Sequence, residues 1–116
     1  MEYVIRPKRV PATNKIRYYM LVAPVKPVEL GDIAARIERT STVSSADIKA
    51  VLDALQYEVR EQIKAGHSVR LGDLGSFRPT IACKGMDKAE DLTVRNIKRV
   101  RVKFTPSATL EKELSP

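Results

Sequence analysis

Arg70, Arg78, Arg99, Arg101 and Lys103 are the residues of this sequence whose type and spacing could do chemistry. Each sits in a run of alternating character. Val69 and Leu71 alternate with Ser68 and Arg70, Phe77, Pro79 and Ile81 with Arg78, Thr80 and Ala82, and Val100, Val102 and Phe104 with Arg99, Arg101 and Lys103. A period of two is that of a β-strand, whose neighbouring side chains point to opposite sides, so burying the apolar set gathers the five cations on the other face. Cations crowded together with no intervening acid repel one another unless water or a polyanion stands against them, and a phosphate backbone offers negative charge at regular intervals. An ordinary solvated sheet face is the alternative. Binding of a polyanion is favoured because three strands converge on one sign while the acids lie in the helices. Lys84, Lys88, Arg95 and Lys98 flank the tip between the second and third runs and add side chains able to reach phosphates.

Catalysis has no comparable support. The one histidine, His67, follows Gly66 at a helix end and reads as a partner of the helix dipole. Cys83 lies in no nucleophile motif, no glycine loop cradles a phosphate, and the carboxylates fall on helix surfaces or in the tip. A single cysteine makes no internal disulfide, and one Cys with one His makes no zinc cluster. No metal, cofactor or small-molecule substrate is expected, and the protein reads as a non-enzyme.

The 116 residues, 43% hydrophobic and 30% charged, have the composition of a folded soluble protein and fit one domain. The net charge of +7 is unevenly placed: +5 over residues 1–28, −2 over 29–65, +5 over 66–105 and −1 over 106–116. Charge confined to particular elements suggests a face and an anionic partner, whether nucleic acid, acidic membrane or acidic protein. No apolar run approaches the roughly 20 residues of a membrane span, and MEYVIRPKRV holds no apolar signal core, so a cytoplasmic location without membrane contact is expected.

The elements that must position these residues follow from periodicity and turn chemistry. Tyr3–Ile5 and Ile16–Val22, joined across Pro11 and Asn14, predict an N-terminal β-hairpin that ends near Pro24 and Pro27. Leu30, Ile33, Ala34 and Ile37 form one stripe of a short helix. A longer helix starts at Ser44, an N-cap with Asp47 three residues on. It keeps Ile48, Val51, Leu52, Leu55, Val59 and Ile63 on one face until Gly66. Two strands around Gly72–Gly75, a polar stretch over 84–96, a third strand stopped by Pro106, and a helix over Ala108–Leu114 capped by Ser107 complete the order.

From Val28 to Leu114 the sequence resembles the bacterial HU/IHF-type proteins. The residues that carry the likeness are Val69-Arg70-Leu71-Gly72-Asp73-Leu74-Gly75-Ser76-Phe77, similar to the family's Gly-Phe-Gly-Thr-Phe region, and Phe104-Thr105-Pro106-Ser107, similar to its Phe-Arg-x-Gly segment. The hairpin lies outside this likeness and points to an extended branch, with residues 1–27 as an extension and 28–116 as the HU-like domain. The implied fold is α+β: a helix pair, a three-stranded antiparallel sheet with a protruding arm, and a C-terminal helix, assembled as an intertwined homodimer. In such a dimer the helices form the base and two sheets form a saddle for double-stranded DNA, which makes the chain a nucleoid protein. A chain this short has a modest core, so dimerisation through Leu52, Leu55, Val59, Phe77 and Phe104 is physically sensible.

The arm departs from the family pattern. HU arms are basic and carry a proline wedge at the tip. Here Ala82–Thr105 has no proline, and Asp87, Glu90 and Asp91 crowd the tip, where they would be repelled by a minor groove. Intercalation is therefore not expected, and Met86 reads as a local packing residue. The acidic tip and the added hairpin leave a second reading open, a protein-interaction or assembly module on an HU-like scaffold.

Overall fold

Turns and caps set the limits of every element in this protein. The computed structural model describes residues 1–116. These form β1 (Tyr3–Val10), β2 (Lys15–Val22), α1 (Leu30–Thr40), α2 (Ser45–Lys64), β3 (Val69–Arg70), β4 (Gly75–Cys83), β5 (Ile97–Pro106) and α3 (Ala108–Leu114). They divide into two compact units, Met1–Thr42 and Val43–Pro116.

In the first unit β1 and β2 pair antiparallel from Tyr3 opposite Val22 to Val10 opposite Lys15. The chain reverses at Asn14, whose N–H donates to the Val10 carbonyl at 2.8 Å and whose φ of +54° lies in a region asparagine tolerates. Pro7 sits inside β1, and a two-stranded ribbon leaves each strand an open edge where the missing donor costs little. The start of α1 is closed by the Asp32 carboxylate, which accepts from the Glu29 N–H at 3.0 Å. Its end is held by Thr40 Oγ1, which donates back to the Arg36 carbonyl at 3.2 Å.

The second unit begins at the expected cap, with Ser44 Oγ accepting from the Asp47 N–H at 3.2 Å. Twenty residues later α2 ends in a Schellman motif. Gly66, at φ +90°, donates to the Ile63 carbonyl at 2.9 Å, and His67 donates to the Gln62 carbonyl at 3.0 Å. The sheet order is β3-β4-β5, antiparallel throughout. β3 has two residues, and Leu71 just beyond it keeps their register, its N–H donating to the Gly75 carbonyl at 2.8 Å while its carbonyl accepts from the Leu74 N–H at 3.1 Å and closes the turn. Ser107 locks that turn to α3. Its Oγ accepts from the Leu110 N–H at 3.0 Å and donates to the Asp73 carbonyl, while its N–H donates to the Leu74 carbonyl at 3.0 Å.

Phe77 and Phe104 are paired across β4 and β5, their rings tilted by 50° with centroids 5.0 Å apart. Such a pair contributes about 0.5–1.5 kcal/mol beyond its buried area. The expected burial of Ile81, Val100, Val102 and Phe104 is not met within one chain, where they remain 45–62% exposed. The reason is cover: α2 packs against β3 and β4, and the far end of the long β4–β5 ladder has no helix over it. Ala34 and Ile48 are the two buried hydrophobic residues, and the chain exposes 10491 Å². A folded monomer of this mass would expose about 6,300 Å².

Gly75 marks the tightest approach in the sheet. A Cβ there would meet the Thr105 carbonyl oxygen and come within 2.7 Å of the Phe104 ring. Gly75→Ala should lower stability by about 1–3 kcal/mol, the cost of overpacking a tight site. Denaturant unfolding at fixed protein concentration measures this, and an unchanged midpoint would contradict it.

Candidate nucleic-acid interface

The strand register assigns each cation a side. Val69, Phe77 and Phe104 are aligned across the three strands, so their neighbours Arg70, Arg78 and Lys103 share the opposite face, as do Arg99 and Arg101 further along β5. All five are exposed. Arg78 stands directly opposite Lys103, Arg101 opposite Thr80, and Arg70 opposite Ser76. The three strands contain no acidic residue. The one ion pair in the chain, Lys64 with Glu61 at 3.4 Å, lies on α2.

α2 lies on the other side of the sheet, where Leu55, Val59, Ile63, Leu71 and Phe77 line a shared apolar groove. Of the dimer-core candidates, Leu52, Val59 and Phe77 are half-buried in the single chain, while Leu55 and Phe104 are exposed. The cationic face therefore has no helix of its own unit against it. Directly opposed like charges on a sheet destabilise it, and an antiparallel ladder is only about 4.8 Å wide. The Arg78–Lys103 pair thus gives a surface whose stability and whose affinity for anions are opposed.

The tip is built differently from the sheet. The ladder stops at Cys83 opposite Ile97, and Lys98 has no partner in β4, which makes it the extra residue of a bulge between the Ala82 and Cys83 pairings. Beyond it the chain folds into two single 3₁₀ turns, Ala89–Asp91 and Val94–Asn96. Asn96 closes this loop twice: its carbonyl accepts from the Lys84 N–H at 2.9 Å and its Oδ1 from the Thr93 N–H at 2.8 Å. Lys84, Lys88 and Arg95 are exposed here beside Asp87, Glu90 and Asp91, so the loop itself is neutral. Met86 is exposed as well, not packed as its apolar character suggests.

The structure thus brings five of the nine candidate cations onto one face and leaves Lys84, Lys88, Arg95 and Lys98 in the loop and bulge. Ser76, Thr80 and Thr105, which donate and accept hydrogen bonds, share the cationic face by the same register. Strand alternation alone would have placed them there. No group of three His, Cys, Asp or Glu is arranged to hold a metal ion, and no helix is long and apolar enough to cross a membrane.

The sequence matches, over residues 1–116, the family described as an HU domain fused to a wHTH, Ig or glycine-rich motif. The chain belongs to this HU-HIG family. The match takes in the N-terminal hairpin, so the extension is part of the family's own pattern. Solved structures agree on an HU-like fold. HU of Thermotoga maritima, as a point mutant, superposes with a TM-score of 0.58 at 18% identity, covering 76% of this chain and all of its own. Anabaena HU, crystallised with DNA, gives 0.60 at 17% identity over 77% of this chain and 99% of its own. A candidate DNA-binding protein of Bacteroides vulgatus gives 0.66 at 15% identity; it covers 90% of this chain, which spans 42% of that longer protein. No curated protein matches the sequence significantly.

The like-charge pair of this HU-like sheet makes its own prediction. Lys103→Glu turns the contact with Arg78 into an attraction, and should raise stability by about 0.2–1 kcal/mol at low salt. Thermal melting at low and at about 1 M salt, with protein concentration held fixed, should show the gain shrinking as salt rises; a loss of stability at low salt would refute the electrostatic account.

Proposed function

We propose that the protein is a homodimeric, non-enzymatic nucleoid protein that binds double-stranded DNA through its phosphate backbone, largely without regard to sequence. The observation that carries this reading is the sheet face on which Arg70, Arg78, Arg99, Arg101 and Lys103 lie exposed, with neither an acid nor an ion-pair partner among them. Membership in the HU-HIG family and the likeness to Anabaena HU, itself crystallised with DNA, support duplex DNA as the polyanion. Backbone contacts fix position and strength without reading bases, and the face carries no group set that would select one sequence. Lys84, Lys88, Arg95 and Lys98 extend the contact from the loop and bulge. The neutral loop makes insertion of the tip into a minor groove unfavourable, so binding rests on the sheet. The expected location is the cytoplasm, on the chromosome.

A salt titration of binding to random duplex tests this. With about 5–8 phosphates engaged, log K against log[salt] should slope by about −4 to −7. Replacing Arg99, Arg101 and Lys103 together with Ala removes up to six cations from a dimer, so the slope should become shallower by about 3–5 and all sequences should weaken equally. A slope near zero for the unaltered protein would sink the proposal and favour an assembly module.

Dimerisation is supported by the excess of exposed surface and by the uncovered apolar face of β4 and β5. Leu55 is 44% exposed in the single chain and lines the apolar groove. If it packs in a dimer core, Leu55→Glu should abolish the dimer and cost several kcal/mol, whereas an exposed residue of a monomer would tolerate the change within about 0.5 kcal/mol. Sedimentation equilibrium decides: the unaltered protein should run at twice 13.0 kDa, and a monomeric mass for it would contradict the dimer.

A further inference from the structure

The N-terminal hairpin has two faces of different composition. Residues paired across β1 and β2 share a side, which puts Tyr3, Ile5, Tyr18 and Met20 on one face and Arg6, Lys8, Lys15 and Arg17, interleaved with Val4, Val10, Tyr19 and Leu21, on the other. Arg9, although part of the same run of basic residues, belongs to the apolar face and is bound to Asn14 Oδ1 at 3.2 Å. A two-stranded ribbon is at best marginally stable alone in water and gains from cover on one face. The apolar face is the one that gains from cover, Tyr18 being 71% exposed without it. On the other side the four cations are exposed, while Val4 and Val10 between them are half-buried.

On that cationic side Lys8 stands directly opposite Arg17, the same destabilising arrangement as Arg78 opposite Lys103 in the sheet. None of the four cations has an ion-pair partner, and the single acid of residues 1–28, Glu2, lies beyond the end of the ladder. Arg6 is opposite Tyr19, and both line a shallow groove with Lys8 and Leu21 that reaches round to Pro7 and Met20 of the other face. Cations two residues apart on one strand are about 6.7 Å apart, a step comparable to that between successive phosphates of a nucleic-acid strand. Charge complementarity and this periodicity select an extended phosphodiester backbone as the occupant.

We propose that the face formed by Arg6, Lys8, Lys15 and Arg17 is a second phosphate-binding surface, which adds to the number of DNA phosphates each chain engages. This rests on the duplex-binding reading of the sheet and extends it to the other compact unit. The two surfaces are independent in sequence and each can be neutralised without touching the other.

The test uses the full-length protein with Arg6, Lys8, Lys15 and Arg17 all changed to Gln, and random duplex as the probe. Every phosphate that is no longer engaged takes about 0.9 from the salt slope, so the slope should become shallower by about 2–4 while affinity falls for all sequences alike. A slope identical to that of the unaltered protein overturns the inference and leaves the sheet's role standing. A flat slope for the unaltered protein removes both. Circular dichroism of the Gln variant and retention of the slope by Arg6→Lys/Arg17→Lys separate an effect of charge from an effect on folding. Phosphatidylserine vesicles provide the competing arm: loss of vesicle binding with an unchanged duplex slope would assign the face to a membrane and overturn the inference.

Discussion

Arg78 and Lys103 face each other across the β4–β5 ladder, and directly beside them, on the reverse side, the rings of Phe77 and Phe104 are in tilted contact. The two pairs follow from one constraint. A strand has two sides, and a sequence that alternates cation with hydrophobe concentrates repulsion on one and attraction on the other. The aromatic contact must therefore offset the charge it forces together. The sheet is also held closely at Gly75, Phe104 and Thr105, and Ser107 fastens the turn before β4 to the helix after β5. It also means that the sheet gains from whatever neutralises its outer side.

Much of this is legible in the sequence because the signals are local. Ser44, Gly66 and Ser107 act as caps through hydrogen bonds to residues three or four positions away, and such contacts can be read from spacing. The cationic face is legible for a related reason, since alternation fixes the side of each residue once the strand is granted. Glu29 gives no such signal because its own side chain is a poor cap, and the closure at α1 comes instead from Asp32. The period of Leu71 is that of a strand residue, and its N–H keeps the strand register with Gly75 while its carbonyl closes the turn with Leu74.

What is not legible depends on long-range cover. Hydrophobic alternation in β5 predicts a buried side, yet Val100 and Val102 remain exposed in a single chain because no helix of their own unit covers them. Periodicity says which side wants to be buried and is silent on what buries it. The tip is likewise described in sequence by composition alone. Its acids announce a departure from a basic arm, but the two 3₁₀ turns and the closure by Asn96 follow from backbone geometry that no charge count contains. In the N-terminal unit the run of basic residues looks like one cluster, and only the register separates Arg9 from the rest.

The bulge at Lys98 carries a consequence for how this sequence can vary. It absorbs one residue between the loop and the ladder, so that Ile97 and Val100 both keep to the apolar side although three positions separate them. The loop over 84–96 is thereby uncoupled from the phase of β5, so a change in its length need not disturb the strand. The strand itself has no such slack. A one-residue deletion between Arg99 and Phe104 would turn the lining of the sheet outward and its charges inward, so β5 should evolve by substitution while the loop evolves by length.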